Sequence, residues 1–159
     1  MDAARGLKML KKEQLLDQLY RIAGMLTDRP DPASYALVAK SMFDSDAEVR
    51  EHAIFIGALR WSDPVMLSCI TGVLTLGSEP VDDNRRLMIE SVVSAALRGK
   101  LERAAIEAWL RVILKQGSTV SLQAKAAYAG ILRLQGKMSI AEAAALDYET
   151  FVVDQQSIA

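Results

Sequence analysis

Asp44-Ser45-Asp46-Ala47-Glu48-Val49-Arg50-Glu51-His52-Ala53-Ile54-Phe55-Ile56-Gly57-Ala58-Leu59-Arg60 is the stretch whose reading decides the fold. It opens with aspartates that can cap a helix and continues with small and branched apolar residues on more than one side. Its ending, Gly57-Ala58-Leu59-Arg60, recurs as Ala95-Ala96-Leu97-Arg98 and as Gly130-Ile131-Leu132-Arg133. The three arginines fall 38 and 35 residues apart, a period expected of stacked helix pairs.

Outward from that stretch, caps and breakers divide the chain into eight helices. Leu15, Leu16, Leu19, Ile22, Ala23 and Leu26 keep helical spacing and predict a helix over 8–25. Lys8, Lys11 and Lys12 lie on its other side, as a solvated face or a small basic patch. Asp28-Arg29-Pro30-Asp31-Pro32 ends it, and Asp31 before Pro32 caps a second helix running to about Phe43. The turn at Asp44-Ser45-Asp46 is tight, so the second and third helices form an antiparallel hairpin. Ser62-Asp63-Pro64 repeats the cap-and-proline start for helix four, which stops near Leu76 and Gly77. After the acidic connection 77–83, three more helices are expected over 83–97, 101–114 and 120–134, stopped by Gly99, Gly117 and Gly136. Ser139-Ile140-Ala141-Glu142 is a capping box for a short eighth helix to about Leu146. The end from Tyr148, with Phe151-Val152-Val153 among acidic residues, either docks on the last helix or frays.

At 159 residues the chain suits one domain, with an N-terminal helix (1–30), repeat hairpins (31–136) and a C-terminal cap and tail (137–159). A hydrophobic fraction of 51% with 25% charge belongs to a globular class rather than a disordered one. A net charge of −1 argues against a general polyanion binder, although not against a local basic patch. The single cysteine, Cys69, forbids an internal disulfide, sits in an apolar run that predicts a buried structural thiol, and points to a reducing compartment. No signal-like segment or bilayer-length apolar run is legible, so a cytoplasmic protein with no membrane partner is expected.

Catalytic templates fail on residue supply. His52 is the only histidine and Cys69 the only cysteine, so neither a two-histidine metal site nor a thiolate cluster can form. Glycine-rich phosphate-binding motifs are missing, and the aspartate pairs 44/46 and 82/83 stand at helix starts, where the helix dipole explains them. A Cys69–His52 nucleophile pair would require two buried-looking positions on different helices to meet. The expectation is therefore no catalytic, cofactor or metal site.

The second helices carry the informative rows. At 100° per residue Glu48, Glu51, His52, Phe55 and Leu59 share one side, and the repeat offsets carry that side to Arg86, Glu90 and Val93, then to Lys125 and Tyr128. One row reads His52, Glu90, Lys125 and its neighbour Phe55, Val93, Tyr128. Such a strip suits a protein partner, with aromatics as anchors and charges selecting the ligand. Alternatively, Phe55 and Val93 pack between repeats and the charges are merely solvated. Arg60, Arg98 and Arg133 make a second row at helix C-termini, explained by the dipole or by an anion-binding edge.

Residues 33–61 resemble a HEAT repeat, carried by Asp44 and Asp46 in the turn, the Val49-Arg50 pair, and Ala53 three residues later. At the matching positions the second unit has Leu87-Met88 and Ser91, the third Leu122-Gln123 and Ala126, so the later units are degenerate. The resemblance implies an all-α, right-handed α-solenoid of about three hairpins, with second helices lining the inner surface. It further implies a non-catalytic scaffold or adaptor that grips another protein as a helix or extended segment. The alternative it leaves open is a nucleic-acid-binding or DNA-glycosylase-like protein using the arginine edge, a class that is longer and presents a basic groove.

Overall fold

A computed structural model describes residues 12–25, 30–116, 118–154 and 156. Among them the chain is all-helical, with eight helices and no strand. They are α1 (Lys12–Gly24), α2 (Pro32–Ser41), α3 (Ala47–Ile54), α4 (Pro64–Thr75), α5 (Asp82–Leu97), α6 (Arg103–Gln116), α7 (Leu122–Leu134) and α8 (Ile140–Ala144). The expected Lys8 and Lys11, the turn residues 26–29 and the stop at Gly117 lie outside the described residues.

The punctuation read from the sequence works through local hydrogen bonds. Asp31, Asp46 and Asp63 each accept from two backbone N–H groups of the helix they open, satisfying donors that a helix start leaves orphaned. Ser139 and Glu142 form the complete capping box of α8. Gly77, Gly99 and Gly136 all have φ between 64° and 72°, the left-handed conformation that ends a helix at least cost in glycine. The acidic start of α5 departs from expectation. Val81 is its N-cap and makes no side-chain cap bond, while Asp82 and Asp83 lie within the first turn.

Consecutive helices pack as pairs, α2 with α3, α4 with α5 and α6 with α7, and the second members also pack in succession from α1 through α3 and α5 to α7. Leu19, Ile54, Ile89, Leu110 and Ile131 in this core are fully buried, each worth about 1.5–3 kcal/mol relative to an exposed side chain. The recurring helix ending has a packing cause. A Cβ on Gly57 would lie 2.1 Å from Met66 Sδ, and one on Gly130 would lie 2.7 Å from Val93 Cγ2. A small residue at this point lets the neighbouring helix approach.

The end of α3 differs from a straight helix. From Phe55 to Arg60 it widens into π-helical turns, with Trp61 N–H donating to the Ile56 carbonyl over 2.9 Å. Each residue there advances by less than the 100° of an α-helix. The projection that aligned Phe55 and Leu59 with His52 therefore does not hold strictly beyond Phe55.

A buried ion pair joins the first hairpin to the second. Arg50 donates from Nε and Nη2 to both oxygens of Glu79, at 2.9 and 2.7 Å, and from Nη1 to the carbonyls of Asp44 and Ser45. Asn84 links the same carboxylate to the Ala47 carbonyl. Burial of Glu79 raises its pKa, but Arg50, the Val81 N–H and Asn84 outweigh this and hold it below the ordinary glutamate range.

Candidate functional site

The face shared by α3, α5 and α7 carries the predicted strip, and its two ends are finished differently. On α3, Phe55 is 43% exposed. His52 is half-buried, its Nδ1 lies 2.9 Å from the Glu48 carbonyl, and its ring meets Tyr20 of α1 edge-on at 4.5 Å. The carbonyl can only accept, so Nδ1 carries the proton of that hydrogen bond. Lys12 ties α1 to the start of α3 through Asp46 and Glu48, at 2.9 and 2.8 Å.

On α5 and α7 the strip is covered by the chain itself. Lys125 Nζ donates to the carbonyls of Tyr148 and Glu149, at 2.5 and 3.1 Å. The Tyr148 hydroxyl donates to Glu90 Oε1 over 3.3 Å, and Arg86 both pairs with Glu90 at 2.8 Å and lies 5.8 Å from the Tyr148 ring centre. Phe151 packs against Tyr128 at 5.6 Å between ring centres. Burial, then the Glu90 carboxylate, push the Tyr148 phenol up to about 12 against the opposing Arg86 and Arg133 charges.

The structure thus brings Arg86, Glu90, Lys125 and Tyr128 together around residues 148–151 and leaves His52 and Phe55 apart from them. Tyr128 is only 5% exposed, so an anchor role open to solvent is corrected to that of a buried floor beneath Phe151. Val93 is wholly buried too. Cys69 is half-buried rather than enclosed. Sequence reasoning missed Tyr148 as the organising residue. Its only signal was an aromatic at the head of an apolar cluster within a polar tail.

Beside Tyr148 lies a cleft of about 400 Å³ between α5, α7 and α8. Leu59, Val93, Ala126, Gly130 and Ala143 give it apolar walls, and Arg86, Glu90 and Arg133 line it with charge. The arginine row splits over this cleft. Arg60 donates to the Met25 carbonyl over 2.6 Å, and Arg98 donates to the Leu59 carbonyl over 2.8 Å and to the Ser62 hydroxyl. Arg133 faces the cleft instead.

Among the described residues no group of three histidine, cysteine or acidic side chains is placed to hold a metal ion, and no helix is long and apolar enough to cross a membrane. No family model matches the chain, and neither a curated protein nor a solved structure matches it.

Proposed function

We propose that this chain is a non-catalytic, cytoplasmic protein-binding module, a right-handed α-solenoid of three HEAT-like hairpins that grips a partner segment on the face shared by α3, α5 and α7. The observation that carries the reading is the docking of the chain's own residues 148–151 on that face. Lys125 holds two main-chain carbonyls, Glu90 takes a tyrosine hydroxyl, and Phe151 covers Tyr128. Main-chain contacts that ignore sequence, combined with aromatic anchors that read it, are how a groove takes a peptide. On the open end, Phe55 supplies an apolar anchor, and His52 and the exposed Glu51 supply its polar rim.

The nucleic-acid alternative loses support from the arginine row. Arg60 and Arg98 already donate to carbonyls inside the fold, which leaves Arg133 of the three to meet a phosphate.

The test uses the full-length chain in three forms: unchanged, Phe55→Ala, and Tyr148→Ala/Phe151→Ala. A synthetic peptide of residues 145–156 is expected to bind the double variant in trans, and Lys125→Ala added to it is expected to weaken that binding. In affinity capture from the native organism, one specific protein is expected with the unchanged chain and not with Phe55→Ala of equal helicity. Failure of the peptide to bind, together with capture indifferent to Phe55, would defeat the reading. Binding to duplex DNA at physiological salt that fails on Arg133→Gln would favour the alternative.

A further inference from the structure

Three arginines end the second helices of the three hairpins, and the third is the one left unspent. Arg98 reaches back to the Leu59 carbonyl, one residue before Arg60 in the preceding hairpin. By the same offset Arg133 would reach the Leu97 carbonyl, one residue before Arg98. That acceptor is already taken by Arg103, whose Nη2 donates to it over 3.1 Å. Arg133 lines the cleft between α5, α7 and α8 instead.

There its Nε is buried without a hydrogen-bond partner. Two other buried side-chain atoms among the described residues share that condition, Arg85 Nε and Gln135 Oε1. Their side chains are otherwise held, Arg85 by Asp82 and the Glu79 carbonyl, Gln135 by Glu107. The Arg133 carbonyl accepts from the Gly136 N–H at the end of α7, but the Arg133 side chain makes no ion pair or hydrogen bond to a described residue, and its charge opposes the rise of the Tyr148 pKa. A buried donor of this kind carries an unmet desolvation cost that a ligand acceptor relieves.

The remaining lining sets the ligand. Arg86 and Glu90 neutralise one another at 2.8 Å, so Arg133 leaves the cleft with one net positive charge. A monoanion matches it, whereas a phosphate dianion would add a second negative charge facing Glu90. The planar guanidinium fork suits a carboxylate's two oxygens. Leu59, Val93, Ala126, Gly130 and Ala143 suit an apolar body, and the volume of about 400 Å³ falls at small-ligand scale. We propose that this cleft binds a small monocarboxylate with an apolar body, its carboxylate on the Arg133 guanidinium. The cleft shares Arg86, Glu90 and Tyr148 with the strip, whereas Phe55 and Lys125 lie outside its lining.

Sodium hexanoate is the probe, titrated into the full-length protein and followed by amide NMR shifts and calorimetry. Hexan-1-ol and inorganic phosphate serve as comparison ligands. Hexanoate is expected to shift the amides of Ala126, Gly130 and Ala143, while the alcohol and phosphate leave them in place. Arg133→Gln is expected to raise the dissociation constant about 30-fold, Arg133→Lys by less, and the exposed Lys115→Gln not at all. Equal response to hexanol or phosphate, silence with millimolar hexanoate, or unchanged affinity in Arg133→Gln would each overturn the assignment. So would binding of a glutamate-bearing peptide in place of hexanoate. Should Arg133→Gln fail to fold, the hexanoate and hexanol titrations of the unchanged chain still decide.

Discussion

The α3 end and the α7 end of one helical face solve the same problem by opposite means. The α7 end is closed from outside: residues 148–151 lie across Glu90, Lys125 and Tyr128 and complete the core with Tyr148 and Phe151. At the α3 end the buried Arg50–Glu79 pair braces the helix start, Tyr20 and Lys12 of α1 cover only His52, Asp46 and Glu48, and Phe55 stays at the surface. An internal brace leaves a surface available for contact, whereas an external cover spends the surface on the fold. Helices at matching positions can therefore differ in exposure according to where their stabilising partner comes from.

Breaking the brace should have the largest effect. Arg50→Ala strands the Glu79 carboxylate, which is 3% exposed, and is expected to destabilise by about 3–5 kcal/mol, seen as a lower denaturant midpoint. Arg50→Lys should recover little, because an ammonium cannot reproduce the two-pronged contact together with the Asp44 and Ser45 carbonyl bonds. The pH dependence follows from Glu79. Its folded pKa lies below the ordinary 4.5, so the stabilisation is present above that value and is lost as pH falls through the folded pKa. An acid limb of the unfolding curve that survives Arg50→Ala unchanged would show that the brace is not its source.

Next in size is Gly130→Ala. Its Cβ would meet Val93 at 2.7 Å and Leu110 at 3.1 Å, and overpacking of this kind costs about 1–3 kcal/mol. The better helix propensity of alanine offsets up to about 1 kcal/mol. A calorimetric melting temperature equal to or above that of the unchanged chain would contradict the close approach.

A smaller, local effect should distinguish the cover from the rest of the fold. Tyr148 is held up to about 12, so its docking is favoured below the unfolded tyrosine pKa of about 10 and is lost as pH rises through 12. Hydrogen exchange of residues 147–153 should accelerate over that window while α3 stays protected. In Tyr148→Phe the alkaline step should vanish, and its persistence would assign the step elsewhere.

How much of this was legible follows the reach of each interaction. Asp31, Asp46, Asp63 and Ser139 were readable as caps because their hydrogen bonds span two or three residues. The packing of α2 on α3, α4 on α5 and α6 on α7 accords with the helix ending that recurs at offsets of 38 and 35 residues. Glu79 beneath Arg50 and Tyr148 upon Glu90 were not readable, since those partners stand 29 and 58 residues away. Nothing in the local pattern names them. The π-widened end of α3 also escaped, because a period of 3.6 is assumed in every face drawn from sequence.

The smallest effect is expected where the surface is free. Phe55→Ala should change stability by no more than about 0.5 kcal/mol, whereas Phe151→Ala should remove exchange protection from the whole segment 147–153. Equal destabilisation by both would erase the distinction between the two ends.

Arg98 has a consequence for how the molecule comes apart. Its guanidinium, on the second hairpin, holds both the Leu59 carbonyl and the Ser62 hydroxyl at the exit of the first. A chain of helical pairs behaves as a row of units whose melting is governed by nearest-neighbour coupling. A contact that crosses from one unit to the next raises that coupling, so fraying at one end is passed inward rather than confined. Cutting this tether would weaken a junction that the Arg50–Glu79 pair and the Asn84 bond also cross, so the thermal transition would broaden toward the first hairpin melting early.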